Sequence, residues 1–341
     1  MATIKDVARL SGVSVSTVSI ILNGQARARK ISTKTEKKVL EAIKELNYNP
    51  SVSARKLRSN EEEKYTIGIY WALDFTTGFL ARFINGIQNE ILKSKLPVTT
   101  VICPFESNNL KNEKALKSMS TYNAVLIANI NVSDREFLNE NQLPIPAIIV
   151  NRQFNNYHTV CIDNKKAGET VANHMLSRGL RDIGMVVQGG NEAFYGMKER
   201  GLSFFETFKK RGVDISKENV VRVENSLSGG VKAGEYFLNK GNIPKGIFVD
   251  SDVMAQGLMH CFNRNGINVP NDCEIVSVGI GPKDFSEHFT PSITVVDMPI
   301  EEMGSQCIKL ISEILEHNIE DEKKHILLDT NLIVRESSPA I

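Results

Sequence analysis

From Tyr65 onward the chain alternates short β-branched runs with stretches of helical period, and this constrains its fold more than any other feature. The runs read YTIGIYW, PVTTVIC, AVLIAN, PAIIVN, DIGMVVQ, KGIFVD and EIVSVGI. Between them lie GFLARFINGIQNEILK, KAGETVANHMLSRG, GLSFFETFKKRG, SGGVKAGEYFLNKG and DVMAQGLMHCFNRNG. Strands alternating with helices imply parallel sheets covered by helices on both faces. More than ten such elements overfill one sheet, so the pattern predicts an α/β core of two lobes with a break near Cys161–Asp163. Two late runs, SITVVDM and HILLDTNLIVRE, return to complete the sheets. The expected division is 64–161 plus 291–322 for the N-terminal lobe and 162–290 plus 323–341 for the C-terminal lobe. Ligands in such folds sit beyond the carboxyl ends of strands, so two facing lobes make a cleft.

The first 48 residues follow a different rule, with three short helical patterns and no strand. Thr3 can cap the first, with Asp6 at the reciprocal position of a capping box; Val7, Ala8 and Leu10 give it an apolar stripe, and Gly12 ends it. Ser14 or Ser16 can cap the second, which runs to about Leu22. The third begins near Ser32-Thr33, with a capping box expected from Thr33 and Glu36 and a buried face from Val39, Leu40, Ile43 and Leu46. Two helices joined by a glycine-containing turn and supported by a third make a helix-turn-helix, whose second helix enters the DNA major groove. Residues 49–63 then read as a hinge and linker. VSARKLR is too short to hold a helix in water alone and needs DNA or a second copy to fold against.

Charge separates head from body. Residues 1–60 carry 12 Lys/Arg against 4 Asp/Glu, a net +8, which leaves 29 against 36, or −7, for the rest. Only the head is suited to a polyanion. No apolar run approaches the ~18–20 residues that span a bilayer, and no signal core opens the chain, so a cytoplasmic protein without a membrane partner is expected. The five cysteines (Cys103, Cys161, Cys261, Cys273, Cys307) lack CxxC spacing, and the six histidines lack HxxxH and HExxH spacing. Reduced core thiols are expected, with no metal and no cofactor. P-loop, GxSxG and GxGxxG motifs are absent, which argues against an enzyme, and the basic head argues against a transport-type solute-binding protein.

The strings TIKDVARLSGVSVSTVSIILNG, VLEAIKELNYNPSVSARKLR and TIGIY closely resemble the LacI/GalR family of bacterial transcription regulators. The likeness continues through IDNKKAGETVANHMLSRG, GMKERGLSFFETF, DSDVMAQGLM, VPNDCEIVSVGI and TPSITVVDMPIEEMG, covering essentially the whole chain. It implies a head, a hinge helix and a two-lobed core similar to periplasmic binding proteins. It also implies a homodimer on a pseudo-palindromic operator, in a bacterial cytoplasm at the nucleoid, controlled by a small, sugar-like effector. The lack of a leucine-heptad tail favours the dimer over a tetramer. By position, Val15, Ser16 and Ile20 would read bases, Ser14, Thr17, Ser19 and Asn23 would touch phosphates, and Thr3 would also meet DNA. The segment between Asn23 and Ser32 is longer than usual for the family and basic (Arg27, Arg29, Lys30), and would add phosphate contacts. In the hinge, Leu57 would wedge into the minor groove with Ala54 beside it, and Ser51 would meet DNA. Around the cleft, Trp71, Asp74, Phe79, Asn151, Arg152, Arg200, Ser251 and Asp252 would meet the effector.

Two positions depart from the family pattern. Ile20 stands where arginine is usual, and isoleucine can contact thymine methyls but cannot bond a guanine bidentately. After the strand EIVSVGI, the aspartate usual in sugar-binding members is replaced by Ile280, Gly281 and Pro282. That leaves open a non-sugar metabolite or a protein corepressor in place of a sugar.

Overall fold

The computed structural model describes residues 4–22, 26, 29–46, 65–72, 77–117, 121–189, 195–282, 284–317 and 322–340. The head contains helices α1 (Ile4–Ser11), α2 (Val15–Leu22) and α3 (Thr33–Glu45). Gly12 leaves α1 at φ +70°, a conformation that costs other residues more. Two matching caps open the next helices. Ser14 Oγ accepts from the Thr17 amide at 3.1 Å, and Ser32 Oγ accepts from the Thr35 amide at 3.1 Å. The third helix is therefore capped by Ser32 with Thr35, not by the expected Thr33–Glu36 pair. Val7, Ala8, Val18, Ile21, Ala26, Val39 and Ala42 form the small core. Leu10 and Leu40, expected inside, lie on the surface at 46% and 52% exposure, because Ala8 and Ala42 take the inward positions.

The core holds two six-stranded sheets. In the first, β1 (Tyr65–Ala72), β2 (Val98–Phe105), β3 (Ala124–Ala128), β4 (Ala147–Val150), β5 (His158–Ile162) and β11 (His325–Leu328) lie in the order β11-β5-β4-β3-β1-β2, all parallel. In the second, β6 (Ile183–Gln188), β7 (Val220–Val223), β8 (Gly246–Val249), β9 (Glu274–Gly279), β10 (Thr294–Asp297) and β12 (Asn331–Ile333) run β12-β10-β9-β8-β6-β7, with only β12 antiparallel. Central strands such as AVLIA and GIFV are buried along their whole length, as parallel strands covered on both faces must be. The covering helices are α4 (Thr77–Ser94), α5 (Val132–Glu140), α6 (Asn164–Ser177), α7 (Tyr195–Lys210), α8 (Leu227–Lys240), α9 (Asp252–Arg264) and α10 (Ile300–His317).

Strand pairing corrects the expected lobe division in two places. Thr294–Asp297, assigned above to the first lobe, pairs with Glu274–Gly279 in the second sheet; His325–Leu328, assigned to the second, pairs with His158–Ile162 in the first. An apolar run shows that a strand is buried but not which of two similar sheets receives it. The chain crosses between lobes at Asp163, at Met298-Pro299 and at Asp329-Thr330. β5 and β7 were not anticipated. HTVCI opens on polar residues, and VVRV is a four-residue edge strand with mixed exposure.

Each sheet reverses its strand order once, between β1 and β3 in the first and between β6 and β8 in the second. These are the topological switch points, beyond which ligands of such sheets bind.

Candidate functional site

The second switch point holds a buried ion pair. Arg200, in the second turn of α7, meets Asp250 at the carboxyl end of β8. Nε and Nη2 donate to Asp250 Oδ1 at 3.0 and 2.9 Å, and Nη1 donates to Asn164 Oδ1 at the first lobe crossing. The two charged side chains are 5% and 1% exposed. Burial pushes the Asp250 carboxyl above the usual carboxylate range, and the Arg200 guanidinium opposes that push. Asp250 Oδ2 lies buried with no hydrogen-bond partner.

Ser251 follows directly and caps α9, accepting from the Met254 amide at 3.2 Å while donating to Asn225 Oδ1 at 2.7 Å. Asp252 is buried. Its two carboxylate oxygens accept the Gly281 amide at 3.1 and 3.0 Å, and it is 1% exposed. A Cβ at Gly281 would lie 2.9 Å from Asp252 Oδ2, so the missing side chain at 281 is what admits this carboxylate. Burial raises the Asp252 carboxyl to about 6, against hydrogen bonds from the Gly281, Val253 and Ile280 amides. The folded value lies above the unfolded one. The group's contribution is therefore fully present below about pH 4 and lost as pH rises through 6. Asp252→Asn should remove a decline on the order of 3 kcal/mol in unfolding free energy between pH 4 and 7, read by urea denaturation across pH. An unchanged profile would show that Asp252 titrates normally.

On the first-lobe side, Trp71, one residue before the end of β1, packs against Phe79 and Phe83, each with ring centroids 5.8 Å away. Trp71 and Phe79 are 4% and 5% exposed and belong to the main apolar cluster, so they form the floor of that wall rather than a free stacking face. Asn151, at φ +55°, accepts the Ile162 amide on Oδ1 at 3.3 Å and so stitches the ends of β4 and β5 together. Arg152 is buried and donates from Nη1 to the Asn151 carbonyl at 2.7 Å. Asn129 closes β3 at φ +57°, buried, with Nδ2 unpaired. Asp74 lies outside the described residues.

Arg82 of α4 ties the lobes together beside this site. It donates to both oxygens of Glu301 at 2.7 Å, to the carbonyls of Gly279 and Met298 at 3.0 Å, and to Gly281 O at 3.4 Å. Its guanidinium is pushed down by burial and up, more strongly in sum, by Glu301 and Asp297. Asp250, Asn164, Asn129 and Arg82 were not singled out from the sequence. A signal existed for two: a second acid in FVDSD at a strand end, and a lone cation within the apolar GFLARFINGIQ.

In the head, Val18 and Ile21 face inward, and Ser14, Val15 and Ser16 are exposed. Thr17, Ser19 and Ile20 are half-buried, and α2 carries no charged residue. The cations stand on its flanks, with Arg29, Lys30, Lys34, Lys37 and Lys38 on the turn before α3 and on α3 itself. Thr3, Asn23, Arg27, Ser51, Ala54 and Leu57 lie outside the described residues. Among the described residues no cluster of His, Cys, Asp or Glu could hold a metal, and no helix is long and apolar enough to cross a membrane.

The three-helix head has the helix-turn-helix arrangement that reads DNA, and it precedes an α/β core of two largely parallel sheets. Residues 3–51 match the family profile for bacterial regulatory proteins of the lacI family, and residues 172–338 match that of the periplasmic binding protein-like domain. The chain is 30% identical over 328 residues to the HTH-type transcriptional repressor PurR of Proteus mirabilis, covering 94% of this chain and 92% of that one. It is 28% identical to the probable HTH-type transcriptional repressor ExuR of Bacillus subtilis, covering 99% and 98%. A LacI family transcription regulator from Clostridium acetobutylicum superposes with a TM-score of 0.76 at 34% identity, over 80% of this chain and 99% of that one. The chain belongs to the LacI family of bacterial regulators, and it is a transcriptional regulator rather than an enzyme.

Proposed function

We propose that this protein is a cytoplasmic, nucleoid-associated repressor of carbohydrate-utilisation genes. It would bind a pseudo-palindromic operator as a homodimer, and a sugar-like effector between the core lobes would set its operator affinity. The observation that carries the effector site is the Arg200–Asp250–Asn164 cluster at a topological switch point, where a buried polar constellation has an unmet hydrogen bond. Repressors named PurR and ExuR among its relatives support the direction of control. Arg152 and Ser251 would border the ligand, and Asn151 would set the backbone turn at its edge.

In this reading Val15, Ser16 and Ile20 face base edges, and Ser14, Thr17, Ser19 and Arg29 face phosphates. The uncharged α2 leaves affinity to the flanking cations and to a hinge that inserts Leu57, so binding should weaken steeply with salt. The effector shifts operator affinity only by its differential affinity for the lobe arrangements that hold the hinges together or apart. The test is operator titration by fluorescence anisotropy with and without each member of a metabolite panel. A ligand that shifts the curve supports the reading; silence across the panel favours a protein corepressor. Ile20→Arg should move the preferred half-site toward guanine by about 1–3 kcal/mol of discrimination, and binding-site selection unchanged from wild type would refute that role. Leu57→Ala should lose specific operator affinity while retaining salt-sensitive binding to unrelated DNA; full operator affinity in the variant would remove the wedge from the mechanism.

A further inference from the structure

The ion pair at Arg200 bears on the charge of the ligand, an inference that rests on the cleft being the effector site. A free guanidinium at a strand end recruits anions, because its planar fork matches a carboxylate or phosphate with two parallel hydrogen bonds. Here the fork is occupied. Nε and Nη2 both point to Asp250 Oδ1, Nη1 points to Asn164, and the pair is almost fully shielded from solvent. An anion approaching Arg200 therefore meets the Asp250 carboxylate, and in a poorly screened setting the like charge offsets the attraction of the arginine.

The same carboxylate has a vacancy of the opposite kind. A carboxylate oxygen accepts up to two hydrogen bonds, and Asp250 Oδ2 accepts none. A buried acceptor left without a donor is costly, and only a hydroxyl or N–H donor relieves it. At the switch point of the other sheet, Asn129 Nδ2 is a buried donor without an acceptor. A hydroxyl group both donates and accepts, whereas a phosphate or carboxylate oxygen only accepts.

We propose that Asp250 is a specificity-determining residue: it neutralises Arg200 and offers Oδ2 to a ligand hydroxyl, so the cleft selects an uncharged polyol or sugar and rejects its phosphorylated or carboxylated counterparts. Delivery of a ligand hydroxyl to Oδ2 requires this shielded oxygen to become accessible.

The test uses the full-length protein and matched pairs. D-glucose, D-galactose, D-ribose and cellobiose are compared with glucose 6-phosphate, ribose 5-phosphate, glucuronate and galacturonate, first by thermal shift and then by calorimetry. At least one neutral sugar should bind wild type, with its charged counterparts weaker by about tenfold or more. Asp250→Asn, close in size but uncharged, should weaken the neutral ligand by about tenfold and bring the anion level with it or ahead. The wild-type comparison decides by itself, whether or not Asp250→Asn folds stably enough to assay. Equal or preferred binding of the anion by wild type overturns the inference while the cleft remains the effector site. Undiminished preference for the neutral ligand in Asp250→Asn removes Asp250 as its cause. Silence from every pair, in wild type and variant alike, overturns the reading of the cleft itself and the inference with it.

Discussion

Arg200→Ala should destabilise the core by about 3–5 kcal/mol, because it leaves the Asp250 carboxylate buried without its counter-charge. For a core of this size that corresponds to a melting temperature lower by on the order of 10 °C. Removing both charges has a different consequence. Arg200→Met combined with Asp250→Leu fills similar volume without a buried ion, and such replacements are often neutral or stabilising. The double variant should recover most of the lost stability and still bind no effector, with a residual cost of about 1 kcal/mol from the Asn164 oxygen that loses its donor. Differential scanning calorimetry of the two variants separates the cases. A double variant no more stable than Arg200→Ala would show that packing, not the orphaned charge, sets the loss.

Arg82→Met should cost about 2–4 kcal/mol, even though methionine keeps much of the arginine's apolar stem in place. Glu301 and Asp297 are a third and a quarter exposed and can rehydrate once the guanidinium is gone. The carbonyls of Gly279 and Met298 face the buried arginine and have less recourse. The larger effect is on coupling. Arg82 sits on a helix packed on the first lobe, and its acceptors at residues 279, 281, 297 and 298 belong to the second sheet and its exit. Amide hydrogen exchange at Gly281 and Met298 should therefore accelerate in the variant under native conditions, beyond what the global loss of stability explains. Exchange at these amides that merely tracks global unfolding would mean the contact adds stability without holding the lobes in register.

Much of the fold was legible because hydrophobic periodicity reports burial directly. Short β-branched runs such as AVLIA and GIFV, set between helical segments, fit fully buried strands, and Ser14 and Gly12 marked a helix start and stop. Failures came where the deciding information is not local. Ser32 rather than Thr33 caps α3 because the first helical residue depends on backbone geometry that Ser and Thr neighbours share in sequence. Leu10 and Leu40 are exposed because the head is too small to bury every leucine, and its close helix packing prefers alanine at 8 and 42. The β10 and β11 runs carry no mark of their sheet. The candidate site was half legible. Arg200 could be singled out, but Asp250 and Asn164 lie 50 and 36 residues away and become its partners only when the crossovers bring the strand ends together. Asp252 follows the β8 strand as the sequence indicates, yet its carboxylate accepts the amide of residue 281, a contact no spacing rule reveals.

The last 16 described residues finish both sheets: His325–Leu328 adds the outer strand of the first, and Asn331–Ile333 that of the second, five residues before the buried Ser338. On the ribosome neither lobe can close its edge until almost the whole chain has emerged, whereas the head is complete within the first 46 residues. A nascent chain thus carries a folded DNA-reading unit well before it has a working sensor. Until then β5 and β10 present open edges, the kind of surface that invites pairing with another chain. Premature termination just short of His325 would leave two such edges at once, and the product would be a substrate for quality control rather than an unregulated repressor.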